Sequence, residues 1–371
     1  MSHDDANAVG FLNASKQARA AQLLAELRRH YILSPQVQAV ANDLDCMLAF
    51  GPPEPGSKRP ARTYLLIGES GAGKSTILKR FLERHPPVAD RLGDIMQVVY
   101  AEVPAAGTKI AAMRALLEAL GVRLRTRETE ADLTRLLVTH LRGMGVRVLI
   151  LDEAQHLLNR RTGYFAYELA DWFKSLANAG IALVIAGTPE AAMAFNLNEQ
   201  LARRSMGAQC LRPFVWNGSD AGDDTPDGGG KADDNAPDGD SNESDGTDWL
   251  ELLTALSKKI PLQDAKYLIT DDMPHRLFWA TGGYLGRLMD FLADVVMEAV
   301  MAETEVIDRD LLMLVEERRR DFQNPDWVNV FQIASLADYE PPTRDTSRQT
   351  RLRRGRRMPR QADIGNLEEA A

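Results

Sequence analysis

The chain has 371 residues, 44% of them hydrophobic, 26% charged and 6% aromatic, with a formal net charge of −9. That is apolar material for about two or three folding units, and no run of about 18 uncharged apolar residues suggests a membrane span. Two cysteines, Cys46 and Cys210, exclude a disulfide framework and lack metal-ligand spacing. The start, MSHDDANAVG, has neither a basic n-region nor an apolar h-region, so a cytoplasmic protein with reduced thiols is expected.

In chain order, residues 15–50 read as helical: Leu23, Leu24, Leu27 and Tyr31 recur at helical spacing, and Val37, Val40, Leu44 and Leu48 follow Pro35. The Pro- and Gly-rich stretch from Gly51 to Pro60 is a loop. Strands and helices then alternate. Thr63–Ile67, Ile95–Glu102, Val146–Leu151 and Ile181–Ala186 are strand candidates; Ile77–Leu82, Ile110–Leu120, Ala131–Leu141 and Tyr164–Ala179 are helical. Short apolar runs between helices predict parallel strands buried on both faces.

Between Asn217 and Asp248 ten Asp and one Glu face a single Lys, giving −10, and apolar periodicity stops, so disorder is expected. Helical periodicity resumes at Trp249–Leu256 and continues, with breaks, to about Leu336. Between Arg344 and Arg360 eight Arg face one Asp, giving +7. Subtracting both blocks from −9 leaves −6 for the rest, so a nucleic acid would have to be met by a local basic surface. The Arg block has three readings: a second DNA anchor, a docking peptide, or an appendage. Its charge also suits competition between the Asp-rich segment and DNA for the same arginines. The expected domains are a helical extension (1–60), a core of alternating strands and helices (61–216), the acidic insertion (217–248), a C-terminal helical domain (249–336) and a flexible tail (337–371).

The chemistry lies in a few motifs. Gly68, Glu69, Ser70, Gly71, Ala72, Gly73, Lys74, Ser75 and Thr76 fit a phosphate-binding loop, placed after an apolar strand and before an amphipathic helix. Glycines let backbone N–H groups converge on phosphates, and the helix N-terminus adds its dipole. Lys74 is expected to reach the β- and γ-phosphates, and the Ser75 hydroxyl to ligate Mg²⁺. The apolar strand Val148–Leu151 ends in Asp152 and Glu153, the acids such a loop requires: one to hold Mg²⁺ through water, one to orient or deprotonate the attacking water. Thr188, closing the next strand, is either a sensor of the γ-phosphate or a helix cap before Pro189. Arg203 and Arg204 read as a helix end, and Arg287 as the first turn of a helix after Gly282-Gly283, where it can fold back onto nucleotide.

This order of motifs resembles the AAA+ ATPases, and within them the TniB/TnsC transposition regulators, with MuB more distant. The resemblance rests on Leu149-Ile-Leu-Asp-Glu-Ala-Gln-His156, Ala186-Gly-Thr-Pro-Glu-Ala-Ala192, Gln200-Leu-Ala-Arg-Arg204, Trp249–Leu262 and Thr281–Leu312, and covers roughly residues 35–320. It implies a P-loop αβα sandwich with a parallel sheet, an α-helical lid, and an ATPase using ATP and Mg²⁺. It also implies head-to-tail self-assembly into rings or filaments on double-stranded DNA. In ring ATPases an arginine at the position of Arg203 or Arg204, here Arg204 ahead of Arg203, reaches the neighbour's nucleotide. A transposase and a TniQ-like target-selection protein are the implied partners, with no membrane involved. Thr108 and Lys109 resemble the family's DNA-facing loop, and Arg160 and Arg161 are further DNA-contact candidates. Two other assignments remain open: a loader or initiator for a replication factor, and a nucleotide-binding scaffold with no DNA role.

Overall fold

The computed structural model describes residues 14–29, 34–53, 59–91, 93–105, 107–124, 128–158, 163–191, 203–216, 247–320 and 327–336. Most of the acidic insertion, the Arg-rich tail, Arg160 and Arg161 lie outside these residues.

Five parallel strands, β1 (Thr63–Gly68), β2 (Val98–Glu102), β3 (Val148–Asp152), β4 (Ala182–Gly187) and β5 (Ser205–Leu211), form one sheet in the order β2-β3-β4-β1-β5. Side chains alternate across it, as the two-residue period of a strand requires. Leu65, Ile67, Leu149, Leu151, Leu183 and Ile185 join one cluster, with α4 (Lys109–Ala119), α5 (Glu130–Gly143) and α7 (Gly163–Asn178). Tyr64, Leu66, Val148, Ile150, Val184 and Ala186 join the other, with α2 (Pro35–Phe50) and α3 (Lys74–Arg84). Both faces are covered, so β1, β3 and β4 are apolar without interruption.

Local signals fix the helices. Ser34 caps α2 by accepting from the Val37 N–H, with Pro35 in the first turn; Val37, Val40, Leu44 and Met47 then face the sheet. Thr108 and Thr129 cap α4 and α5 in the same way. β2 is shorter than its apolar run, because Ile95 pairs instead with Val88 in an isolated antiparallel bridge. β5 had no expected counterpart. Its Ser-Met-Gly-Ala-Gln-Cys-Leu sequence is an edge strand of small and polar residues, half exposed along most of its length, which no apolar run announces.

A third cluster forms the helical lid: α8 (Thr247–Ser257), a short 3₁₀ turn at Lys266–Ile269, α9 (Met273–Thr281), α10 (Leu285–Met301) and α11 (Arg309–Arg318). The N-terminal helix α1 (Ala14–Arg29) belongs with it. Leu27 is buried among lid residues, and Lys16 and Arg19 pair with Glu303 and Glu305 beyond α10. At its far end the Arg28 carbonyl accepts from Arg80 of α3. The residues after α11 also join the lid. Arg276, buried, donates to the carbonyls of Val330 and Ile333, and Arg309 donates to those of Phe331 and Ile333. No helix among the described residues is long and apolar enough to cross a membrane.

Glu316 on α11 is 7% exposed, and burial pushes its pKa up from 4.5 to about 7, Arg319 opposing. The folded lid therefore holds this proton more tightly than the unfolded chain. That stabilisation is complete below pH 4.5 and is lost as pH rises through about 7. Glu316→Gln is expected to raise thermal stability at pH 8 by on the order of 1–3 kcal/mol and to change little at pH 5. Melting curves at the two pH values check this; an equal effect at both would contradict it.

Candidate nucleotide site

Because every strand is parallel, the loops that follow β1, β3 and β4 open at one edge of the sheet, where ligands of such folds bind. The loop after β1 turns through Gly71 (φ 78°) and Gly73 (φ 99°), left-handed conformations that favour glycine. α3 then begins at Lys74 and points its N-terminal N–H groups into the loop. The Lys74 ammonium donates to the carbonyls of Gly68 (2.7 Å) and Glu69 (3.0 Å). Burial lowers its pKa, and the Glu153 and then the Asp152 carboxylates pull it back up, so both acids act on the same pocket. Ser75 stands in the first turn of α3, half-buried; Thr76 and the loop residues Glu69 and Ser70 are exposed, and Ala72 is buried.

Asp152 ends β3 and is fully buried. Its Oδ2 accepts from the Tyr100 hydroxyl of β2 (2.9 Å) and its Oδ1 from the Glu153 N–H (2.8 Å). The carboxylate is thus fixed from two sides; Tyr100's own burial, and then the Asp152 charge beside it, raise the tyrosine's pKa. Glu153 takes a positive φ of 56°, unusual for its residue type, which turns the chain into α6 (Gln155–Leu158). Its Oε2 accepts from Gln155 Nε2 and lies 4.0 Å from His156 Nε2. Thr188 follows β4 at the same edge, and its hydroxyl donates to Glu190.

The lid closes the pocket. α10 starts at Leu285, so its N-terminus meets the phosphate loop: the Arg287 N–H donates to the Gly71 carbonyl (3.0 Å) and its Nε to the Ser70 carbonyl (3.1 Å). The Arg287 guanidinium lies over the Tyr284 ring, 4.5 Å from its centroid. The approach is backbone-close. A Cβ on Gly286 would fall 2.4 Å from the Gly71 oxygen, and one on Gly71 would fall 2.6 Å from Arg287 Cγ.

The sequence-derived residues therefore divide. Lys74, Ser75, Asp152, Glu153, Thr188 and Arg287 belong to elements that meet at this edge. Arg203 and Arg204 do not: they form the turn entering β5, where the Arg204 carbonyl accepts from the Thr63 N–H at the start of β1. Thr63 pairs with Ser205 and Gly68 with Leu211, so the phosphate loop lies a full strand length away, about 17 Å at 3.3 Å per residue. Arg203 is exposed; Arg204 is half-buried, and its Nη1 has no hydrogen-bond partner among the described residues. Thr108 is occupied as the α4 cap and Lys109 is paired with Glu130 of α5. Sequence reasoning missed Tyr100 and Gln155. Their only signals were a tyrosine inside a buried strand, whose hydroxyl must find a partner, and an amide beside the paired acids.

A parallel sheet with a phosphate loop on one strand, paired acids on another and a helical lid whose first turn seats on that loop defines a P-loop nucleotide-binding protein of the AAA+ class. The family described as Bacterial TniB protein matches residues 24–210, just over half of the 371, and the chain belongs to that family. Comparison with curated proteins finds no match. Among solved structures the fold is similar to Cdc6p from Pyrobaculum aerophilum, with a TM-score of 0.52 and 16% identity over 79% of this chain and 70% of that one. It is also similar to the Orc1 protein of Aeropyrum pernix, solved in complex with DNA, with a TM-score of 0.50 and 18% identity over 77% of this chain. The chain spans 64% of that protein's length.

Proposed function

We propose that this protein is an ATP-dependent, sequence-non-specific DNA-binding ATPase that assembles head-to-tail on duplex DNA and there recruits a transposase and a TniQ-like target-selection protein. Family membership supports the transposition setting. The observation that carries the assembly is the position of Arg203 and Arg204: a strand length from their own phosphate loop, they can complete a nucleotide site only in another copy. A surface that donates an arginine at one face and receives one at another is heterologous, and such contacts propagate as rings or filaments.

In this reading the backbone N–H groups of Gly71–Lys74 and the Lys74 ammonium bind the triphosphate, and Arg287 brings the lid onto it. Ser75 and Asp152, a hydroxyl and a buried carboxylate already oriented by Tyr100, would hold Mg²⁺; bound there, the ion would supply neutralisation of the triphosphate's charge. Glu153 takes a proton from water as the water oxygen bonds to the γ-phosphorus and the bond to the β–γ bridging oxygen breaks, leaving ADP and phosphate. Thr188 orients the γ-phosphate side, and Arg204 of a neighbour stabilises the developing charge. The core (61–216) carries the phosphate loop and the lid (249–336) carries Arg287, with the acidic insertion between them in sequence. DNA contacts go mainly to phosphates, from Thr108, Lys109, Arg160, Arg161 and the Arg-rich tail. For Lys109 a phosphate must displace Glu130, so its contribution is salt-sensitive.

A mixing experiment tests the arrangement. Arg204→Ala is expected to lose on the order of a thousandfold in ATP turnover, and Lys74→Ala to be inactive. Mixed, the first supplies an intact phosphate loop and the second an intact arginine, so turnover returns. A mixture as inactive as its components would contradict a site shared between copies.

A further inference from the structure

Gln155 joins the proposed general base to the end of the strand beside it. Its Nε2 donates to Glu153 Oε2, and its Oε1 accepts from the Thr188 N–H at 3.2 Å. The amide is therefore used at both ends, and its orientation is set by the backbone at the end of β4. The amide lies close against this turn: a Cβ on Gly187 would stand 2.8 Å from Gln155 Oε1 and equally close to Ala191 Cβ. The strand exits are also stitched together, because the Ala154 N–H donates to the Ala186 carbonyl.

We infer that Gln155 is a positioning residue: it holds Glu153 by one carboxylate oxygen against the Thr188 backbone and leaves the other oxygen aimed at the nucleophilic water. The inference rests on the hydrolase reading above and adds to it a link between the base and the γ-phosphate-sensing strand. Among the described residues, Gln155 is the hydrogen-bond donor recorded for this carboxylate, with the Lys74 charge opposite it. His156 Nε2 is 4.0 Å away, too far for a hydrogen bond. A shift of about 1 Å in such a base costs up to a hundredfold in rate. The loop before α4 rests on the far side of the same turn: a Cβ on Gly107 would fall 2.1 Å from the His156 carbonyl oxygen. Displacement of that loop is therefore felt at α6.

The test measures ATP turnover of the full chain with Mg²⁺ from pH 6 to pH 8.5, for wild type, Gln155→Leu and Gln155→Glu. Gln155→Leu keeps the volume but loses both bonds; its kcat is expected to fall about tenfold to hundredfold at every pH, with KM for ATP unchanged. Gln155→Glu keeps the shape of the amide but can donate to Glu153 only when protonated. Besides Glu153, the titratable groups on the elements packed here are Asp152 on β3, His156 on its own turn, Lys74 on α3 opposite Glu153, Glu190 bonded to Thr188 beyond β4, and Glu102 beside Tyr100 on β2. Two adjacent carboxylates share a proton readily, which raises one pKa. Gln155→Glu is therefore expected to match the leucine variant at pH 8.5 and to recover toward wild type at pH 6. A Gln155→Leu protein with wild-type kcat, or a Gln155→Glu protein that follows the leucine variant at every pH, overturns the inference. Wild type without turnover overturns the hydrolase reading itself, and the inference with it.

Discussion

Lys74→Ala is expected to abolish ATP-dependent binding to DNA and to weaken ATP itself by about tenfold to hundredfold or more. The ammonium is buried under the phosphate loop and donates to two loop carbonyls. It is also the positive charge opposite Glu153 and Asp152. A hydrogen bond to a charged group contributes about 1.5–3 kcal/mol, which sets the lower range of the loss. Removing the ammonium leaves two carboxylates facing a triphosphate with Arg287 as the remaining positive side chain placed on the loop, which adds to it. Titration with a fluorescent ATP analogue, followed by DNA binding with and without ATP, measures both effects. Retention of ATP-dependent DNA binding by this variant would refute the assignment of the loop.

Glu153→Gln is expected to act in the opposite direction on lifetime. The amide keeps an oxygen that can accept from Gln155 Nε2, so the turn into α6 is retained. It no longer takes a proton, and loss of a general base lowers turnover by about a hundredfold to ten-thousandfold. ATP binding stays intact. If hydrolysis is what dismantles the assembly, DNA complexes of this variant formed with ATP should outlast those of wild type by a similar factor after dilution. Rapid disassembly of the variant with ATP would contradict the role given to Glu153.

Parts of this architecture were plain in the sequence for a physical reason. β1, β3 and β4 are buried on both faces, and such strands must be apolar without interruption. The phosphate loop follows β1 and the Asp152-Glu153 pair closes β3, so finding the strands also placed these residues at one edge of the sheet. The position of Arg287 in the first turn of α10 was legible because Gly282 and Gly283 punctuate the chain before that helix; Gly282 takes a left-handed conformation as the α9 cap. β5 was not legible, since an edge strand can carry Gly, Ser and Gln at little cost. Tyr100 and Gln155 were hidden for another reason. Each acquires its role only when three elements meet: β2 with β3 and its turn for Tyr100, α6 with β3 and β4 for Gln155. The place of α1 was equally out of reach, because Leu27 finds its partners in residues more than two hundred positions away. Helical spacing gave the helix, and only the assembled lid shows what it covers.

The most direct test of the shared nucleotide site is negative-stain microscopy of the purified chain with Mg²⁺, a non-hydrolysable ATP analogue and a duplex of arbitrary sequence. Regular rings or filaments should coat the DNA with the analogue and be absent without it or with Arg204→Ala. A chain that stays monomeric at high concentration with analogue and duplex both present would show that no neighbour's arginine completes the site.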